Sequence, residues 1–226
     1  MRAVFSIILS VFAAFLIQAH DYRSGDLIFI ASTETAFTEA IATATGDAIK
    51  HDTAIGENDN KNKNKNKKSL TFTHVAIIAA DDPSRPTVIE ADPQAGVREI
   101  ALSDFLSSEM NGGRKPIYVV KRLTGAYPYN EILARARSFI GQEYDWWFLP
   151  DNGKMYCSEL IYESYVDDKG KHIFETQPMN FRAPDGTMPE FWINLYNRLE
   201  MEVPEGLPGT NPNDLSRSPL LIEINF

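Results

Sequence analysis

Tyr156-Cys157-Ser158-Glu159-Leu160-Ile161-Tyr162 is the stretch on which the reading of this chain turns. Cys157, Leu160, Ile161, Ser164 and Tyr165 recur at helical spacing and share one face of a helix expected from about Tyr156 to Val166. That face is largely apolar, so the thiol turns toward the core side. Cys157 also opens the helix, where free backbone N–H groups and the macrodipole favour thiolate, the nucleophilic form, over thiol. Free cysteine is among the most buried residue types, so the position alone suits packing as well as chemistry. It is the only cysteine in 226 residues, which excludes an intramolecular disulfide and any multi-cysteine zinc site.

A nucleophile needs a base. Of the four histidines, His20 and His51 lie beside polar or low-complexity segments and His172 sits in a polar turn. His74 instead heads an apolar, β-rich run, Thr73-His74-Val75-Ala76-Ile77-Ile78, where an imidazole costs apolar burial and needs a partner. Glu90 interrupts the next run, Thr87-Val88-Ile89-Glu90-Ala91-Asp92. If the two runs form a hairpin, its register decides whether a carboxylate reaches the ring. A loop of Asp81-Asp82-Pro83 places Glu90 directly opposite His74. A five-residue loop ending at Arg85 pairs His74 with Asp92 and leaves Glu90 two positions away on the same face. An even-numbered loop turns both carboxylates to the other face. Either odd register lets a carboxylate hold the imidazole tautomer and stabilise the imidazolium. A metal site built from His74, Glu90, Asp92 and Cys157 is conceivable by ligand type, but no ligand spacing supports it.

Around this centre the chain reads as separate blocks of strands and helices. Gly25-Asp26-Leu27-Ile28-Phe29-Ile30 is a turn and a strand, and Ser32 or Thr33 suits the cap of a helix carrying Ala36, Phe37, Ala40, Ile41 and Ala44. Strands are expected at 70–80, 87–91, 96–100 and 117–123. Ser103 suits the cap of a short helix through Phe105 and Leu106. Pro128 opens another, with Ile132, Leu133, Ala136, Phe139 and Ile140 facing inward, and a last helix falls at about 191–199. The class is α+β, a small antiparallel sheet with packed helices. Trp146, Trp147 and Phe148 precede the cysteine helix and suit either core packing or an apolar wall for a substrate; Trp146, Trp147 and Tyr156 are the candidate substrate-binding residues.

Two segments stand outside this core. Residues 1–19 start positively and carry an apolar run from Ala3 to Ile17, short for a spanning helix of about 20 residues but suited to a signal peptide. The mature chain, 20–226, is then a single exported domain, periplasmic or secreted, without stable membrane insertion. Residues 51–69, with their alternating Asn and Lys, bury nothing and read as a disordered surface insertion. The net charge is −9, from 22 basic and 31 acidic residues, which disfavours nucleic-acid partners.

The strings quoted at Gly25–Phe29, Thr73–Ile77 and 156–162, with Val88-Ile89-Glu90-Ala91, occur in the order found in the YiiX-like branch of the NlpC superfamily, which this chain resembles. These are circularly permuted papain-like proteins in which histidine precedes cysteine. The resemblance spans about Gly25 to Tyr165 and continues into the Pro/Gly-rich segment 203–212. It implies a permuted papain-like fold, a partial barrel with the nucleophile at a helix N-terminus. It also implies Cys157 as nucleophile, His74 as general base and Glu90 as the third polar residue. The implied activity is that of a cysteine hydrolase on an amide, either a cell-wall peptide or an N-acyl, lipid-like amide, with no cofactor. Alternatives are a thiol acyltransferase on the same triad, which product analysis with an added acceptor separates, and a non-catalytic lipid- or peptide-binding module. Oligomeric state stays open.

Overall fold

The computed structural model describes residues 21–32, 35–46, 70–109 and 115–225. The expected signal peptide at 1–19 and insertion at 51–69 lie outside the described residues. In chain order the elements are β1 (Asp26–Ala31), α1 (Ala36–Thr45), β2 (His74–Ala79), β3 (Thr87–Asp92), β4 (Gly96–Ala101), α2 (Leu102–Ser108) and β5 (Ile117–Leu123). There follow α3 (Tyr129–Ser138), α4 (Cys157–Ser164), β6 (Gln177–Pro178), α5 (Glu190–Arg198), β7 (Pro208–Gly209), α6 (Pro212–Ser216) and β8 (Leu221–Ile224). Six strands form one antiparallel sheet in the order β4-β3-β2-β1-β5-β8, and β6 pairs with β7. The architecture is α+β.

The central strands are apolar on both faces because both faces are covered. Leu27, Ile28, Phe29 and Ile30 of β1 are wholly buried. Leu27 and Phe29, with Val75, Ile77 and Ile89, join the core made with Ile132 and Leu133 of α3 and Leu160 and Ile161 of α4. Ile28 and Ile30, with Ala76, Ile78 and Val88, pack with Leu102 and Phe105 of α2 instead. A period of two thus sorts one strand between two cores. Gly25, which leads into β1, has φ of 85°, and a Cβ there would stand 2.2 Å from the Tyr129 ring. The next residue, Asp26, is fully buried and neutralised by Arg122 at 2.6 Å.

The structure corrects several boundaries. α1 is capped by Thr35, whose hydroxyl accepts the Thr38 N–H, not by Ser32 or Thr33. α2 starts at Leu102, so Ser103 is inside the helix and does not cap it. α3 ends at Ser138, which leaves Ile140 beyond it and 46% exposed rather than inward. β2 begins at His74, not Leu70, and the residues before it are held by the C-terminal segment. Asn213 of α6 accepts the Phe72 N–H and donates to Phe72 O and to Thr45 Oγ1, each at 2.8 Å, and is 1% exposed. Asn213→Ala strands two buried backbone groups, so we expect a loss of about 3 kcal/mol. The melting temperature should fall by roughly 6–10 °C. A thermal melt within 2 °C of the parent would show that the clasp contributes nothing.

Candidate active site

His74 is the first residue of β2, and its register relative to β3 follows from Ile77↔Ile89 and Ile78↔Val88. Extended three steps, that register places Asp92, not Glu90, across from His74, which corresponds to the five-residue loop. Glu90 is the diagonal neighbour, and its longer side chain spans the offset: His74 Nε2 lies 2.9 Å from Glu90 Oε2. Glu90 is 1% exposed, and Arg98, directly opposite it on β4, donates to Oε1 through Nε at 3.0 Å and Nη2 at 2.8 Å. Asp92 is otherwise engaged, since it accepts the Gln94 and Ala95 N–H groups at the β3–β4 turn and a hydrogen bond from Arg98.

The other side of the ring meets Cys157, whose thiol is close enough to raise the imidazole pKa. Nε2 is taken by Glu90, so Nδ1 is the atom left for sulfur. By alternation His74 lies in the row of Ala76 and Ile78, and its ring stands 5.9 Å from that of Phe105 in α2. The cysteine helix packs against β2 and β3 within the opposite core. The two residues therefore meet at the end of the sheet, where the first residue of a strand and the first residue of a helix coincide. Burial disfavours a charged His74. The interactions with Cys157 and with the Glu90 carboxylate outweigh it and hold the imidazole pKa well above the usual 6.5. Burial likewise pushes Glu90 up, but His74 and Arg98 together hold it below its usual 4.5.

The first turn of α4 supports this arrangement. Glu159 accepts the Tyr156 N–H at 3.3 Å, and burial, followed by the charge of Asp145, pushes its pKa up to about 8. Asp145 is fully buried and accepts the Trp147 and Leu149 N–H groups, each at 2.9 Å. The turn that wraps its carboxylate forces Phe148 to φ of 52°, a left-handed conformation rare outside glycine.

That turn decides which aromatics face the thiol. A cleft of about 460 Å³, counted to its open mouth, is lined by Cys157, Tyr156, Phe148, Met179, Phe181 and Trp192, among others. Trp146 and Trp147 do not line it. Trp146 packs between Phe37 and Tyr144, its ring 5.0 Å from each, and Trp147 lies under the Lys154 ammonium at 4.8 Å. The wall expected from these tryptophans is supplied instead by Phe148 and by Trp192 of α5; of the three candidates only Tyr156 remains. Sequence reasoning also missed Arg98 and Thr210, while Asp145, read as a residue that shapes the turn, does so through the Trp147 and Leu149 N–H groups. Arg98 alone had a legible signal, since the hairpin over Asp92–Gly96 sets it opposite Glu90.

With the histidine strand ahead of the cysteine helix in the chain, this is the arrangement of the permuted papain-like cysteine hydrolases. The chain belongs to the permuted papain-like amidase family of YaeF and YiiX, whose model matches residues 21–225. It is similar to the uncharacterized protein YiiX of Escherichia coli, 24% identical over 115 residues; the match covers 50% of this chain and 56% of YiiX, just over half that relative's length. A crystal structure of the metalloprotein YiiX from Escherichia coli has the same fold, with a TM-score of 0.65 and 21% identity over 90% of this chain and 96% of that one. Among the described residues of this chain no group of three or more His, Cys, Asp or Glu side chains is arranged to hold a metal ion. The Glu90 carboxylate is already shared between His74 and Arg98.

Proposed function

We propose that this chain is an exported cysteine hydrolase that cleaves an amide bond through Cys157, His74 and Glu90. One observation carries the reading: the His74 ring stands 2.9 Å from the Glu90 carboxylate and close enough to Cys157 for the thiol to raise its pKa. His74 takes the thiol proton as the nucleophile forms. Sulfur attacks the carbonyl carbon, the Cys157 backbone N–H stabilises the oxyanion, and His74 delivers its proton to the departing amine as the C–N bond breaks. Water then attacks the thioester while His74 takes its proton, and the acid and thiolate are released. The apolar cleft beside the sulfur suits the acyl half of an N-acyl or peptide-like amide. The run from Ala3 to Ile17 supports export, and among the described residues no helix is long and apolar enough to cross a membrane.

The test is covalent capture. An electrophilic acyl probe incubated with the protein should label Cys157, as mapped by mass spectrometry, and labelling should slow at least tenfold in His74→Ala. A wild-type protein that folds yet leaves Cys157 unlabelled would overturn the assignment.

A further inference from the structure

Among the described residues four buried side-chain polar atoms have no hydrogen-bond partner: Gln142 Oε1, Ser164 Oγ, Trp192 Nε1 and Thr210 Oγ1. Trp192 and Thr210 are the two that line the Cys157 cleft. They are only 2% and 6% exposed, so solvent does not substitute freely for the missing partner. Native proteins rarely leave such groups unmet, and a ligand that shifts the cleft wall enough to reach one brings the complementary atom.

Thr210 is pinned by the two residues that flank the nucleophile. Its N–H donates to the Tyr156 hydroxyl at 3.1 Å, and its carbonyl accepts from Ser158 Oγ at 3.0 Å. The Thr210 backbone is thereby fixed in a cleft wall that Cys157 shares. The Tyr156 hydroxyl lies near Oγ1 as well but makes no well-formed hydrogen bond to it. Around these atoms the cleft is apolar, with Phe148, Met179 and Phe181 in its wall. An indole N–H only donates, and a hydroxyl donates or accepts. The complement is an acyl group with an apolar body and one oxygen function.

We propose that Thr210 Oγ1 and Trp192 Nε1 are specificity-determining groups that select an acyl half bearing a hydroxyl or carbonyl oxygen over a plain hydrocarbon chain. This rests on the proposed hydrolase reading and narrows its substrate class. Since the two can fail separately, binding is measured apart from turnover. Calorimetry on Cys157→Ala compares β-hydroxyoctanoate with octanoate, the acyl halves alone. The wild type is assayed in parallel on the matching p-nitroanilides.

The hydroxy acid should bind about tenfold more tightly, and Thr210→Val or Trp192→Phe in the Cys157→Ala background should each bring the ratio toward one. Thr210→Ser should keep it. Thr210→Val should melt no lower than its parent, because it removes an unmet hydroxyl; a purely structural threonine would lose stability instead. Equal binding of the two acids, or a ratio that survives both substitutions, overturns the inference whether or not the anilides are cleaved. Preferential binding of the hydroxy acid with no anilide turnover upholds the inference and removes the hydrolase reading.

Discussion

Cys157→Ala should abolish amide hydrolysis while the protein stays folded, with a fall of about 10⁵- to 10⁶-fold in kcat. The side chain is small and 4% exposed, so its removal should cost only about 1 kcal/mol, visible as a minor shift in the thermal melt. His74→Ala should fall nearly as far, because without the imidazole nothing takes the thiol proton or returns one to the amine. The informative variant is the double one. If sulfur and ring act as a single unit, Cys157→Ala combined with His74→Ala is no slower than either alone, whereas independent contributions would multiply. Residual activity within tenfold of wild type in either single variant would mean that the chemistry lies elsewhere.

Glu90→Gln should lower kcat/KM by about 100-fold and destabilise the fold by roughly 2–3 kcal/mol. The amide preserves shape but removes the charge that holds His74 protonated, and it leaves Arg98 with Asp92 as its remaining carboxylate partner. The pH dependence has a definite sign. His74 is raised above 6.5, so its stabilising contribution is complete below that value and disappears as pH rises through the folded pKa. Glu90 is lowered below 4.5, so its contribution is present above that value and disappears as pH falls through the folded pKa. The stability gap between wild type and Glu90→Gln should be widest between these limits. On the activity side, the alkaline limb of the pH–rate profile reports loss of the His74 proton and should move to lower pH in Glu90→Gln. An unmoved limb would show that Glu90 supports the fold without tuning the ring.

Much of this site is legible in local chemistry. Four helical-spaced residues after Cys157 predict the cysteine helix, because one face must be apolar to pack. The costly imidazole at the head of β2 marks His74 for the same reason. The parity of the β2–β3 loop restricts the partner to Glu90 or Asp92, since a strand alternates its faces at every residue. What parity leaves open is length and competition. Turn closure at Gly96 and the Arg98 guanidinium occupy Asp92, and only a glutamate is long enough to reach diagonally to the ring.

Other features had no local signal. The C-terminal segment reads as loop, yet Asn213 fastens the entry to β2 from 141 positions away, and β8 adds an edge strand beside β5. Tryptophans next to a nucleophile look like a substrate wall until the turn around Asp145 places Phe148 at φ of 52° and brings Trp192 in from α5. Periodicity and residue cost act between neighbours and are therefore written in the chain. The choice of diagonal partner, the orientation of an aromatic turn and the clasp on β2 are contacts between distant segments, so they exist only once the sheet and helices have packed.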